Sequence, residues 1–137
     1  MCIRDRPLVY GPADDGCADV TIVTYGGLTA TVEAAMRRMI EEQELRFDYF
    51  VLTQLWPKRL ESVVQSAART GRLVVVEEAM ADFGVAASVI SEVAQQVRGV
   101  ACRAVGAASA CIPAVRHLED RVLPSVDRVA TAIRQVA

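Results

Sequence analysis

Five features of this chain carry residue types that could do chemistry. Gly26-Gly27 separates a β-branched run from a helical pattern, where free backbone N–H groups could hold an anion. The pair lacks the remaining glycines of a dinucleotide fingerprint and the lysine of a phosphate loop, so a tight strand-to-helix turn is the favoured reading. Glu77-Glu78 follows the run Leu73 to Val76 at its C-terminal end, where open α/β sheets bind ligands. Two carboxylates there suit a cation or an acid–base pair. With no His or Asp motif beside them, a solvated strand end or an interface ion pair is preferred. His117 is the only histidine and stands among Arg116, Glu119, Asp120 and Arg121. No serine or cysteine has the spacing of a nucleophile–base pair with it, which favours a surface or helix-end histidine over a proton donor. Cys2, Cys17, Cys102 and Cys111 form no C-x-x-C pair, and with one histidine no zinc-ligand set emerges. Reduced cysteines that serve packing are expected. Trp56-Pro57 is either an exposed interface anchor or a buried cover for the following helix.

The bulk numbers bound what these residues can belong to. The chain has 137 residues, enough for one domain with its own core. It is 53% hydrophobic and 23% charged, a globular balance with few aromatics, so Ala, Val, Leu and Ile fill the interior. The net charge of −2 gives no electrostatic footprint for nucleic acid. Lys58 is the only lysine among 15 basic residues, a skew that points to a GC-rich genome rather than to phosphate binding. No apolar run approaches the roughly 20 residues of a membrane span, and Met1 to Pro7 has no apolar stretch behind it, so a cytoplasmic protein is expected.

The elements that must position these residues alternate. Val20 to Val23 reads as a strand buried on both faces. Leu28, Val32, Ala35, Met36, Met39 and Ile40 then share one helical stripe. Tyr49 to Leu52 is the second strand, and Pro57 suits the first turn of a second helix carrying Leu60, Val63, Val64 and Ala67, which Gly71 stops. Leu73 to Val76 is a third strand. Gly84 leads into a helix with Ala86, Val89, Ile90, Val93, Ala94 and Val97 on one face. Val100 to Val105 is a weaker strand, the stretch after Pro113 is short and mixed, and a last helix from Pro124 aligns Val126, Val129, Ala130 and Ile133. Strands joined by helices of this length pair in parallel through right-handed crossovers. The architecture is therefore a three-layer α/β/α sandwich with helices on both faces of a mostly parallel sheet. Residues 1–18 fit this pattern poorly. Leu8 to Tyr10 suits a short edge strand, Gly11-Pro12 and Asp14-Asp15-Gly16 read as turns, and the hexapeptide of residues 1–6 is expected to be artefactual.

Several blocks, in order, resemble the C-terminal, transketolase-like domain of the decarboxylase beta subunit in 2-oxo acid dehydrogenase complexes. Asp19 to Gly26 reads DVTIVTYG, like the opening of that domain. Glu33-Ala34-Ala35, the block RTGRLVVVEE of Arg69 to Glu78, Gly84, Arg103-Ala104-Val105-Gly106, Leu118-Glu119 and Leu123-Pro124 follow at matching places. The family's P-x-P-Y stretch is replaced by Cys111-Ile112-Pro113-Ala114, so the contact its tyrosine makes does not carry over.

The resemblance implies a domain at 19–137 with a five-stranded mixed sheet, its antiparallel edge strand supplied by the N-terminal residues. It also implies that thiamine diphosphate and magnesium bind in other domains of the complete enzyme. No catalytic, cofactor-binding or metal residue carries over to this chain. Its expected work is subunit assembly and docking of the acyltransferase, in the enzyme of pyruvate or branched-chain type. The implied partners are the decarboxylase alpha subunit, the beta-subunit N-terminal domain and the acyltransferase's subunit-binding domain, with no nucleic acid or membrane. Trp56, Glu77, Glu78, Arg128 and Arg134 are the candidate interface residues. Two other readings stand beside this one: a separately encoded, non-catalytic domain that pairs with a cofactor-binding chain, and a small-molecule-binding regulatory module using the strand ends near Gly26 and Glu77.

Overall fold

The computed structural model describes residues 8–10 and 18–137. The turns expected at Gly11-Pro12 and Asp14 to Gly16, the first six residues, Cys2 and Cys17 lie outside the described residues. Five strands, β1 (Leu8–Tyr10), β2 (Val20–Thr24), β3 (Phe47–Val51), β4 (Arg72–Met80) and β5 (Ala101–Ala107), form one sheet in the order β1-β3-β2-β4-β5. The last four are parallel, and β1 runs antiparallel to β3, with Val9 opposite Phe50. This is the mixed five-stranded sheet that the family resemblance implied, within the α/β/α layers read from the sequence pattern. Among the described residues five α-helices flank it, α1 (Thr29–Gln43), α2 (Glu61–Thr70), α3 (Val85–Gln96), α4 (Arg116–Val122) and α5 (Val126–Val136), with a 3₁₀ turn at Gly26–Leu28 leading into α1.

The period of two along each strand divides the core into two halves. Ile22, Val74 and Val76 face α1 and α5, where Val32, Ala35, Met39, Val129 and Ile133 pack against them. Val23, Leu73 and Val75 face α2 and α3, meeting Val63, Ala67, Val89 and Val93. Each of these larger side chains is fully or almost fully buried, which stabilises the fold by about 1.5–3 kcal/mol per residue before chain entropy is subtracted. Continuous apolar strands are therefore a requirement of a sheet covered on both faces.

A polar network ties α2 to the sheet. Thr21 Oγ1 shares hydrogen bonds with Ser66 Oγ at 2.7 Å and Thr70 Oγ1 at 2.8 Å. Ser66 in turn donates to Asp48 Oδ2 at 2.6 Å, and the Arg69 guanidinium pairs with the same carboxylate. The buried Asp48 is thus satisfied on both counts, charge and hydrogen bond. Gly71 ends α2 in the left-handed conformation, φ +68°, with its N–H bonded to Ala67 O at 2.9 Å.

Two local expectations change. Pro57 does not open a helix: it follows Trp56 through a cis peptide in an irregular loop, and α2 begins at Glu61. Leu60, buried at the cap position, is where the apolar stripe first reaches the core. Ile40 is half exposed, because α1 meets the sheet along Val32, Ala35 and Met39, one step around the helix from it.

Candidate functional site

The C-terminal ends of β2 and β4 lie side by side at the centre of the sheet, where the chain order reverses and α/β folds place ligands. Tyr25, Gly26-Gly27, Glu77 and Glu78 all come to this point. β4 does not end at the two glutamates but continues through Met80, and strand alternation sends their side chains to opposite faces. Alternation therefore splits the carboxylates that adjacency in sequence had placed together.

Glu77 has no solvent exposure. Its Oε2 accepts a hydrogen bond from the Tyr25 hydroxyl at 3.0 Å, while Oε1 has no hydrogen-bond partner among the described residues. Gly84, the N-cap of α3, lies directly against it: a Cβ at that position would fall 2.1 Å from Oε1 and 2.3 Å from Cδ. The backbone of Gly84, at φ −87° and ψ −171°, is open to any residue, so contact rather than conformation requires glycine there. Burial, then the Glu77 hydrogen bond and the charges of Glu77 and Glu78, push the Tyr25 hydroxyl up to about 12. Tyr25 is therefore a neutral donor at physiological pH.

Glu78, on the other face, is exposed, and its Oε1 lies 2.5 Å from where a Cβ on Gly27 would stand. An acidic group thus occupies the approach to the only glycine pair that could have cradled an anion. Among the described residues no group of three or more His, Cys, Asp or Glu is placed to hold a metal ion. No described helix is long and apolar enough to cross a membrane.

The remaining candidates are dispersed. Trp56 is 82% exposed, which decides between the two readings of that residue in favour of an uncovered ring. His117 is exposed on α4. The Arg128 guanidinium donates to Gly106 O at 2.6 Å and to Val122 O and Leu123 O, capping α4 and one carbonyl of the edge strand β5. Arg134 pairs with Glu42 at 2.6 Å, joining α5 to α1 beside the Arg38 pairs with Glu42 and Asp127. An open cleft of about 350 Å³ between β5 and α5 is lined by Arg103, Asp127, Arg128, Thr131 and Gln135. Its charged groups are already engaged: Arg103 with Gln135, Asp127 with Arg38, and Arg128 with the carbonyls. Burial raises the Cys102 thiol, which keeps it protonated and unreactive, and Cys111 is free and exposed.

Sequence reasoning did not find the Tyr25–Glu77–Gly84 contact, nor the distribution of exposed apolar side chains. Among the described residues, all the large ones except Ile40 come at or after the C-terminal ends of β3, β4 and β5 in the chain. Trp56 and Phe83 lead this set, and Phe83 is 87% exposed. The signal for Phe83 was present, since a lone aromatic in the four residues between strand and helix has little to pack against.

Comparison with known proteins places this geometry. A family model described as the C-terminal domain of transketolase matches residues 11–129. The chain is 35% identical over 123 residues to the beta subunit of acetoin:2,6-dichlorophenolindophenol oxidoreductase of Cupriavidus necator, covering 85% of this chain and 35% of the relative. It is 30% identical over 136 residues to the 3-methyl-2-oxobutanoate dehydrogenase subunit beta of Mycobacterium tuberculosis, covering 96% and 38%. The chain therefore spans little more than a third of the length of these relatives. A solved split-gene transketolase, described as an inactive beta4 tetramer, superposes with a TM-score of 0.78 at 26% identity, covering 97% of this chain and 42% of that one. A 2-oxoglutarate:ferredoxin oxidoreductase from Magnetococcus marinus shares the fold, with a TM-score of 0.62 at 17% identity over 95% of this chain and 19% of that one.

Proposed function

We propose, from the premise that this chain belongs to the transketolase C-terminal domain family, that it is the assembly domain of a 2-oxo acid dehydrogenase beta subunit of pyruvate or branched-chain type. In this reading it joins the decarboxylase alpha subunit and the beta-subunit N-terminal domain in the cytoplasm and docks the subunit-binding domain of the acyltransferase. The observation that carries the reading is the belt of exposed apolar side chains at the C-terminal ends of the strands. Glu77 is turned inward onto Tyr25 and Glu78 points the other way, toward Gly27, so that end of the domain offers contact area rather than convergent reacting groups.

Thiamine diphosphate, which supplies the carbanion chemistry of such an enzyme, does not fit the described residues. The Glu78 carboxylate beside Gly27 would repel a diphosphate at the glycine pair, and the described acidic residues form no magnesium ligand set. No step of the reaction is therefore assigned to this chain. Of the five interface candidates, Trp56 and Glu78 are exposed at the strand ends. Glu77 would act through Tyr25 and Gly84, which it holds in place, and Arg128 and Arg134 through the α4 and α5 positions they fix.

A separately encoded chain that pairs with a cofactor-binding partner is the second reading. The solved neighbour described as a split-gene transketolase, inactive as a beta4 tetramer, favours it. Both readings are tested by mixing the purified chain with the alpha subunit and beta N-terminal domain of such an enzyme and recording native mass spectra. A defined complex that also captures the subunit-binding domain is expected. Absence of any complex at micromolar concentrations would overturn both.

A further inference from the structure

We infer that residues 108–123 form a hinged cover at the free edge of the sheet, which opens as a unit without the core and is latched by Arg128. The inference does not rest on the assembly reading. β5 ends the strand order, so one of its edges is unpaired among the described residues. The chain leaves the strand at Ala107 and returns to the body at Pro124, both buried. Nothing between them is buried: α4 contributes no core residue, and Ile112, Val115 and Leu118 are exposed. This is also the stretch where Cys111-Ile112-Pro113-Ala114 replaces the family's P-x-P-Y, so no tyrosine anchors it here. Arg116, Glu119, Asp120 and Arg121 are in no ion pair among the described residues. A segment held by so few contacts belongs to the low-stability end of a fold.

The ties that hold the segment lie at its base. The Ala108 N–H donates to Val122 O at 2.9 Å, closing a loop whose ends are adjacent. The Arg128 guanidinium then spans the joint. It donates to Gly106 O at 2.6 Å on one side, and to Val122 O at 3.3 Å and Leu123 O at 3.4 Å on the other. Its two footings on the body are fixed. Val129 and Ala130, next to it on α5, are fully buried, and a Cβ on Gly106 would fall 2.4 Å from Ala79 O, so β5 packs too closely there to follow the segment. Arg128 thus joins two fixed elements to two carbonyls of the movable one, a task for a planar fork with several donors. With the cover closed, Gly106 O and the Ala108 N–H are both taken. Opening it would release these groups at the end of an edge strand, where unpaired backbone invites pairing with another chain.

Amide hydrogen exchange followed by NMR on the purified full chain tests this. The N–H groups of Ala108, Glu119 and Leu123 are bonded to Val122 O, Val115 O and Glu119 O, so their exchange reports opening. In the wild type they should exchange about a hundredfold or more faster than the amides of the β2–β4 ladder. Their rate should hardly respond to low urea, since opening exposes little surface. Arg128→Ala should speed them about tenfold, and trypsin cleavage after Arg116 and Arg121 should quicken in proportion. Arg134→Ala, on the same helix, removes a contact to Glu42 that the open form keeps, so it should leave their rate unchanged. Exchange at the core's rate, with the urea dependence of global unfolding, would overturn the inference without any variant. So would amides that Arg128→Ala leaves unaltered, or that Arg134→Ala speeds equally. An Arg128→Ala chain that loses its cooperative melt also overturns it, because the guanidinium would then be holding the core.

Discussion

Gly84→Ala isolates the contact that orders the strand ends. The backbone there accepts any residue, so removing glycine from the unfolded chain should by itself stabilise by about 0.4–1 kcal/mol. Against that gain, the new methyl would sit 2.1–2.3 Å from all three atoms of a carboxyl group with no solvent exposure. The carboxyl is hydrogen-bonded to Tyr25 and cannot swing into water without breaking that bond. Overpacking of this kind costs about 1–3 kcal/mol. The net expectation is a loss of about 1–2 kcal/mol, which for a domain of this size lowers the melting temperature by about 3–8 °C. Circular dichroism melts and urea titrations of four proteins close a double-mutant cycle: wild type, Gly84→Ala, Glu77→Ala and the pair. With Glu77 truncated, the methyl at position 84 enters vacated space, so Gly84→Ala should there be neutral or mildly stabilising. The coupling between the two sites should be about 1–3 kcal/mol. An equal loss in both backgrounds, or none in the wild type, would refute the assignment of Gly84 to the Glu77 contact.

Tyr25→Phe should change the alkaline limb of the stability profile. The hydroxyl is raised to about 12 in the folded chain from an ordinary 10.0, so its contribution is whole below about pH 10 and is lost as the pH climbs through about 12. Melts in that window should show a shallower decline for the variant; an identical decline would disconnect Tyr25 from Glu77. Ser66→Ala removes the donor to Asp48 and the partner of Thr21 in the buried network under α2. A loss of about 1–3 kcal/mol in urea unfolding is expected, and a neutral result would mean the network relaxes around the gap.

The layer architecture was legible because a sheet covered on both faces leaves short continuous β-branched runs that alternate with one-faced helical stripes. Val74 and Val75 are adjacent and both buried, one facing α5 and the other α3. The stop at Gly71 was legible for a related reason, as a local conformation that few other residues adopt. Pro57 misled because its suitability for a first helical turn is a local preference, and the start of α2 is set instead by where Leu60 meets the core. The edge strand Leu8–Tyr10 was within reach from its apolar character, but its antiparallel direction came through the resemblance and not from its three residues.

The candidate site was less legible because it is made by contacts across the fold. Tyr25 and Glu77 are 52 positions apart, and nothing in either neighbourhood announces the other. Adjacent glutamates suggested a pair, yet a strand places neighbours on opposite faces, so Glu77 went under α3 and Glu78 toward Gly27. That division has a functional consequence. Once the buried carboxylate is committed to Tyr25 and Gly84, and the exposed one lies over the glycine pair, the strand ends bring no convergent polar groups together for a small ligand among the described residues. The loops beyond them carry Trp56, Phe83 and their neighbours outward instead. Buried polar groups fix the shape of a loop, and exposed apolar groups give it something to bind with. On the proposed assembly reading, the place where the fold ordinarily holds a ligand serves in this chain as a surface for another protein.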